Sequence, residues 1–373
     1  MKGPLSGTRI IECASQNCPL PLRLAISFTG RMAADLGADV HRIGAPADDP
    51  IRKVGPFFGE ESALSAFLDL NKKKPIQQPL QHSIQQPISA DGADPAALLR
   101  SFNTVLPDIL LCDDAAFGAL GDYAAQRVRT VFSMTPAGTD ASGRADASSE
   151  FTLMASSGLL DLVGDTDREP LKMGGRQLAY SCGLSAYAAS IAALAGVQGG
   201  ISSGEVVRVS MADVAVWLNW KSVAMAAWSG SGKSRLGRDA EWQVIRCADG
   251  WIALVYLEAD WPVLRDFVDD ARLSDPRFDD RTERRKEARH ITEIVEQRFL
   301  RLTRKELKDM ALQKRLPLGP VWTPLELETD PQNISRHFFS RVKASDGTSL
   351  LMPRLPILWN GSAMPCATEE ETR

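Results

Sequence analysis

Arg9-Ile10-Ile11-Glu12 is a short β-rich run; residues 22–36 follow, rich in Ala, Leu and Met; Gly37 stops them; and Ala38-Asp39-Val40-His41-Arg42-Ile43 is a second β-rich run. A glycine just past the last periodic residue is the usual helix terminator, because it alone enters the left-handed region without strain. Strand, helix, glycine turn and strand within 35 residues make a crossover unit, and crossover units build parallel sheets. Outward from this unit, Ile109-Leu110-Leu111-Cys112 and Val128-Arg129-Thr130-Val131-Phe132 read as further buried strands. Val206-Val207-Arg208-Val209-Ser210 reads as a strand as well. The pattern predicts an α/β fold with Ile10, Val40, Leu110 and Val131 inside a parallel sheet.

Between the strands, residues 75–95 form a polar, Pro- and Gln-rich connector, and residues 135–149 form a Gly/Ser/Asp/Ala loop. Apolar positions recur at helical spacing from residue 150 to 197, with a turn region at 163–174 and a second helix over about 179–194. A long helix is expected over 211–228, then the glycine-rich loop Ser229-Gly230-Ser231-Gly232-Lys233-Ser234. Beyond it the composition shifts to a strand at 250–256 and charged helices from 260 to 315. This predicts a large domain over 1–225, completed by about 326–373, and a smaller one over about 230–325. The acidic tail Glu369-Glu370-Glu371 reads as disordered.

The chain has 373 residues, 44% hydrophobic and 24% charged, which suits a folded globular protein with a large core. Forty-three basic against 47 acidic residues leave a net charge of -4, so no electrostatic grip on nucleic acid is expected. No apolar run reaches the ~18 residues of a membrane span, and Met1-Lys2-Gly3-Pro4-Leu5 lacks a signal-peptide core. A cytoplasmic protein without membrane or nucleic-acid partners is therefore expected. The six cysteines and four histidines are scattered, without the paired spacing of a metal site. Gly230 to Ser234 looks superficially like a phosphate-binding loop, but Ala227 stands where the motif needs its first glycine, and a helix precedes it instead of a strand.

Taken in order, several motifs resemble class III CoA-transferases and α-methylacyl-CoA racemases. They are Pro4-Leu5-Ser6-Gly7-Thr8-Arg9-Ile10-Ile11-Glu12, Ala33-Ala34-Asp35-Leu36-Gly37-Ala38-Asp39-Val40, and Asn71-Lys72-Lys73-Lys74-Pro75-Ile76. Ala155-Ser156-Ser157-Gly158-Leu159 with Gly164-Asp165, Arg246 through Leu254, Asp275-Pro276-Arg277-Phe278 and Leu318-Gly319-Pro320-Val321 continue the series. The resemblance implies a Rossmann-like large domain, a small domain, and two chains interlocked as a dimer. It also implies coenzyme A or acyl-CoA as substrate, with no permanently bound cofactor and no metal.

In the transferases an aspartate attacks the thioester and passes through covalent intermediates. The resemblance puts that position at Ala179, in Ala179-Tyr180-Ser181-Cys182-Gly183-Leu184, and a methyl group cannot attack. The racemase histidine falls at Ser149, leaving Glu150 and Glu258 as the surviving acid–base candidates. Cys182, one turn from Ala179, reads foremost as a small core residue. Arg42, Arg52, Lys72, Lys73 and Lys74 lie in segments used near the nucleotide, while Gly230 and Gly232 belong to the loop that covers the site. Asp113-Asp114 replaces a neutral or basic stretch and is expected to weaken phosphate binding. Some family members pair two related chains of which one carries the aspartate. The expected function is thus that of a subunit without a nucleophile in a heteromeric CoA-transferase. The alternative is a stand-alone acyl-CoA enzyme moving an α-proton with Glu258 or Glu150.

Overall fold

The computed structural model describes residues 3–43, 49–73, 107–138, 149–198, 205–230, 235–343 and 346–364. The chain divides into two compact units. The first comprises Met1–Leu160, Lys172–Ala224 and Arg336–Arg373; the second comprises Asp161–Leu171 and Met225–Ser335.

In the first unit the opening crossover forms as the sequence implies: β1 (Arg9–Cys13), α1 (Leu20–Asp35) and β2 (Asp39–Ile43), with Gly37 at φ +94° closing the helix. A short helix α2 (Ala63–Asp69) follows, then β3 (Ile109–Asp113), α3 (Asp114–Arg127) and β4 (Thr130–Thr135). Next come α4 (Glu150–Ser156), α5 (Gln177–Gln198) and β5 (Glu205–Ser210). The five strands are all parallel in the order β2-β1-β3-β4-β5. Ile10, Val40, Leu110 and Val131 are buried in β1, β2, β3 and β4. Continuous apolar runs of this kind are what strands covered on both faces require.

Helix α5 lies against α1. Thr29 Oγ1 donates to the Gly183 carbonyl at 2.9 Å, and a Cβ at Gly183 would sit 2.8 Å from the Ala25 carbonyl oxygen. Only glycine permits that approach. Gln177–Gly196 is also long and apolar enough to cross a membrane, contrary to the sequence expectation that no such run exists, because its many Ala residues, with Leu and Ile among them, raise the mean hydropathy and no charged residue interrupts them. A third of that stretch is buried.

The helix expected over 211–228 is two helices, α6 (Met211–Leu218) and α7 (Trp220–Ser229). Asn219 ends the first at a non-helical ψ of 13°, and its side chain donates to the Ser157 carbonyl at 3.0 Å. A short polar side chain bonded away from the helix is a common way for a helix to stop.

The second unit is built on the hairpin β6 (Gln243–Cys247) and β7 (Gly250–Leu254), extended by β8 (Leu318–Pro320). Helices α8 (Trp261–Val268), α9 (Ala288–Phe299) and α10 (Arg304–Lys314) cover it. Their buried core includes Ile245, Ile252, Trp261, Phe267, Phe278, Ile294, Phe299 and Leu307.

Candidate functional site

Ala179 is fully buried in the first turn of α5. Its backbone N–H donates to Glu150 Oε1 at 3.3 Å, and that of Leu178 donates to the same oxygen at 3.1 Å. Glu150, itself in the first turn of α4, thereby satisfies two of the amides that a helix start leaves open. Its other oxygen, Oε2, is buried without a hydrogen-bond partner and has Arg176 Nη1 at 3.7 Å. A carboxylate therefore does stand beside position 179, but its first task is to cap the helix. Ser149, which the resemblance aligns with the racemase histidine, is the N-cap of α4 and accepts from the Thr152 N–H at 3.1 Å.

Cys182 is fully buried, and burial pushes its thiol up to about 12. It is a core residue, not a poised nucleophile.

The basic residues separate into two groups. Arg42 is buried: its guanidinium contacts Asp69, approaches Glu12 at 3.5 Å and Asp49 at 3.8 Å, and donates to Ser27 Oγ at 3.2 Å. The Lys72 ammonium is bonded to Glu12 and to the Ser27 carbonyl at 2.8 Å. Arg23 joins them, donating to Asp49 at 2.8 Å. Arg42 and Lys72 thus correct the expectation of nucleotide contacts: their donors serve carboxylates inside the protein. The cause is Glu12, a charge on a strand buried on both faces, which only nearby cations make tolerable. Burial pulls the Lys72 ammonium down to about 8, with Glu12 opposing the shift. Lys73, by contrast, is exposed and pairs with Asp39 at 3.3 Å. Arg52 is exposed in the turn Pro50–Lys53. Lys74 and Gly232 lie outside the described residues. Gly230 ends α7 at φ +64°, its N–H donating to the Ala226 carbonyl at 2.9 Å.

The aspartates of the altered segment are tied down. Asp113, the last residue of β3, accepts from the Ser15 N–H at 2.7 Å and from Ser15 Oγ at 2.6 Å. Asp114, in the first turn of α3, accepts from Ser133 Oγ.

Glu258 belongs to the second unit, where it accepts from Arg284 Nη2 at 2.6 Å, with Arg281 at 3.9 Å. Arg284 is fully buried, stacks on Trp261 at 4.9 Å and donates to the Phe278 carbonyl. Instead of standing free as a base, Glu258 neutralises a buried guanidinium. Glu258→Gln is therefore expected to cost about 1–3 kcal/mol through the weakened charge-assisted bond. A thermal melt that falls by less than 1 °C would contradict the ion pair's role.

Arg176, Glu12, Arg23, Asp49 and Ser15 went unnoticed in the sequence. For Glu12 a signal existed, since a carboxylate inside Ile10-Ile11-Glu12-Cys13 needs a buried partner. For Ser15 and Arg176, which act through distant or loop residues, the sequence carries none.

A family model described as CoA-transferase family III matches residues 131–369. Succinate–glutarate CoA-transferase of Agrobacterium fabrum is 26% identical over 392 residues, spanning 96% of this chain and 90% of that protein. The subunit BbsE of succinyl-CoA:(R)-benzylsuccinate CoA-transferase from Thauera aromatica is 28% identical over 358 residues, spanning 88% and 83%. Among solved structures, a CAIB/BAIF family protein from Brucella suis superposes with a TM-score of 0.73 at 21% identity, covering 96% of this chain and 97% of that one. Rv3272 from Mycobacterium tuberculosis superposes with a TM-score of 0.72 at 18% identity, covering 97% and 94%. At these identities the structural likeness speaks for the fold.

Proposed function

The chain belongs to CoA-transferase family III, and from that premise we propose that it is the subunit without a nucleophile in a two-chain CoA-transferase acting on acyl-CoA thioesters. The observation that carries this reading is Ala179, a buried methyl at the start of α5 with its amide already bonded to Glu150. Covalent transfer needs a carboxylate that can attack a thioester, and the residue at this position has none. The similarity to BbsE, which is a subunit by name, supports the same assignment. Both relatives named above act on dicarboxylic acids, and we propose that acyl class here.

A second chain also suits the surface. Trp217 is 70% exposed and Trp228 85% exposed, with Trp220 and Val223 exposed between them, and α7 buries no residue at all among the described residues. Apolar surface of this kind marks a protein interface. We propose that the related, aspartate-bearing chain covers it, in an interlocked dimer burying more than the ~1,600 Å² of a standard contact.

Two measurements test the proposal. The pure chain is expected to show no CoA exchange between two acids, and hydroxylamine is expected to trap no adduct. Purification from the native host is expected to bring down a related chain with an aspartate at the matching position. Ping-pong transfer by the single chain with a labelled peptide overturns the reading.

The alternative has an observation of its own, the buried Glu150 Oε2, which accepts no hydrogen bond among the described residues and has the Arg176 guanidinium at 3.7 Å. As a base it would exchange the α-proton of an acyl-CoA with solvent. Deuterium wash-in by the pure chain, abolished by Glu150→Gln, would decide for it.

A further inference from the structure

In an open parallel sheet, ligands enter at the carboxyl ends of the strands where the strand order reverses. Here the order β2-β1-β3-β4-β5 reverses between β1 and β3. That crevice is bounded by the loop after β1 and by Asp113 at the end of β3.

Three features make it unlike a phosphate site. Asp113 is 4% exposed, and its two oxygens hold Ser15 by the backbone N–H and by Oγ, so this loop amide is already taken. Asp113 and Asp114 also occupy the N-terminus of α3, the end whose dipole would otherwise draw an anion. The nearby cations Arg23 and Arg42 are turned to Asp49, Glu12 and Asp69. The charge of Asp113 is felt around it: together with burial, it pushes up the thiols of Cys13, Cys18 and Cys112.

We propose that the clasp between Asp113 and Ser15 excludes phosphate-bearing nucleotides, coenzyme A among them, from this chain's own crevice, so that the aspartate-bearing partner alone holds CoA. This inference rests on the two-chain reading above and adds its stoichiometry: one CoA for each pair of chains. Asp113 is the specificity-determining residue, acting by charge, and Ser15 is what holds that charge in place.

Calorimetric titration of the full chain with CoA at low salt tests it. The wild-type chain is expected to show no saturable binding up to about 1 mM. Asp113→Asn retains an acceptor for the Ser15 amide and is expected to bind CoA at least about tenfold more tightly, at one per chain, since a like charge at close range is removed. Ser15→Ala leaves the charge and is expected to gain nothing. Should Asp113→Asn not fold, Asp114→Asn removes the second charge at the same helix end and is expected to show a smaller gain. Micromolar binding of CoA by the wild-type chain overturns the inference, as does a folded asparagine variant that binds no better. A chain that binds CoA but transfers nothing would sink this inference alone; a chain that transfers CoA would sink the two-chain reading as well.

Discussion

Glu12→Gln is expected to lower the melting temperature by about 10 °C or to prevent folding of the first unit. Glu12 is fully buried on β1, between β2 and β3, with Lys72 bonded to it, Arg42 at 3.5 Å and Arg23 at 3.8 Å. Asp49 and Asp69 complete the group, which then holds the three carboxylates of Glu12, Asp49 and Asp69 against the three cations of Arg23, Arg42 and Lys72. The cluster is neutral only while every member is present. Removing one charge leaves a buried cation uncompensated, at a cost of about 3–5 kcal/mol. Total stabilities are commonly 5–15 kcal/mol, so the loss is a large fraction of the whole. The double variant Glu12→Gln with Lys72→Met restores neutrality and is expected to recover part of the loss. A single variant melting within about 2 °C of wild type would show that the charges are not coupled. Gly30 belongs to the same argument: a Cβ there would overlap Glu12 Oε1, so the helix facing the cluster has no room for even a methyl.

This cluster also shows where sequence reading stops. The strands were legible because residues covered on both faces form continuous apolar runs, as in Ile109-Leu110-Leu111. Helix α1 was legible from its Ala, Leu and Met content and from Gly37. Arg42 and Lys72 read as nucleotide contacts in the sequence because a side chain's charge says nothing about which way a strand or turn faces it. The direction is settled by Glu12, 30 and 60 residues away, through contacts that exist only after folding. The hairpin β6–β7 was half legible: residues 250–256 read as a strand, while Gln243 to Cys247 carries weaker alternation and joins it through Ala248-Asp249. At the site, position 179 was legible only through resemblance. That Glu150 caps the helix beginning there requires two segments 28 residues apart to meet.

The protein is expected to lose stability steeply above pH 9. Burial, aided at Cys13 by Asp113, raises the thiols of Cys13 and Cys182 from 9.0 to about 12. Burial also carries Cys18 and Cys112 well above 9.0. Below pH 9 these thiols are protonated in both folded and unfolded chains, so their contribution is complete there. As pH rises past 9 the unfolded chain releases protons that the folded chain keeps, and the balance shifts toward unfolding. Each thiol that stays protonated in the folded chain while it ionises in the unfolded one contributes about 1.4 kcal/mol per pH unit in this range. Lys72 acts in the opposite sense: its folded value of about 8 lies below 10.5, so between these values the unfolded chain holds a proton that the folded chain has lost. It offsets roughly one thiol's worth. The net expectation is a melting temperature that is level near pH 8 and falls sharply by pH 10.5, with a gentler slope in Cys182→Ala. A level profile to pH 10.5 would contradict it. The same shift bears on catalysis. A thiol near 12 is ionised on the order of one part in ten thousand at pH 8, so Cys182 should resist thiol reagents in the native protein and react once it is unfolded. With that thiol held protonated, Cys182 offers no substitute for a carboxylate at Ala179, and the two-chain reading proposed above takes the attacking carboxylate from another chain.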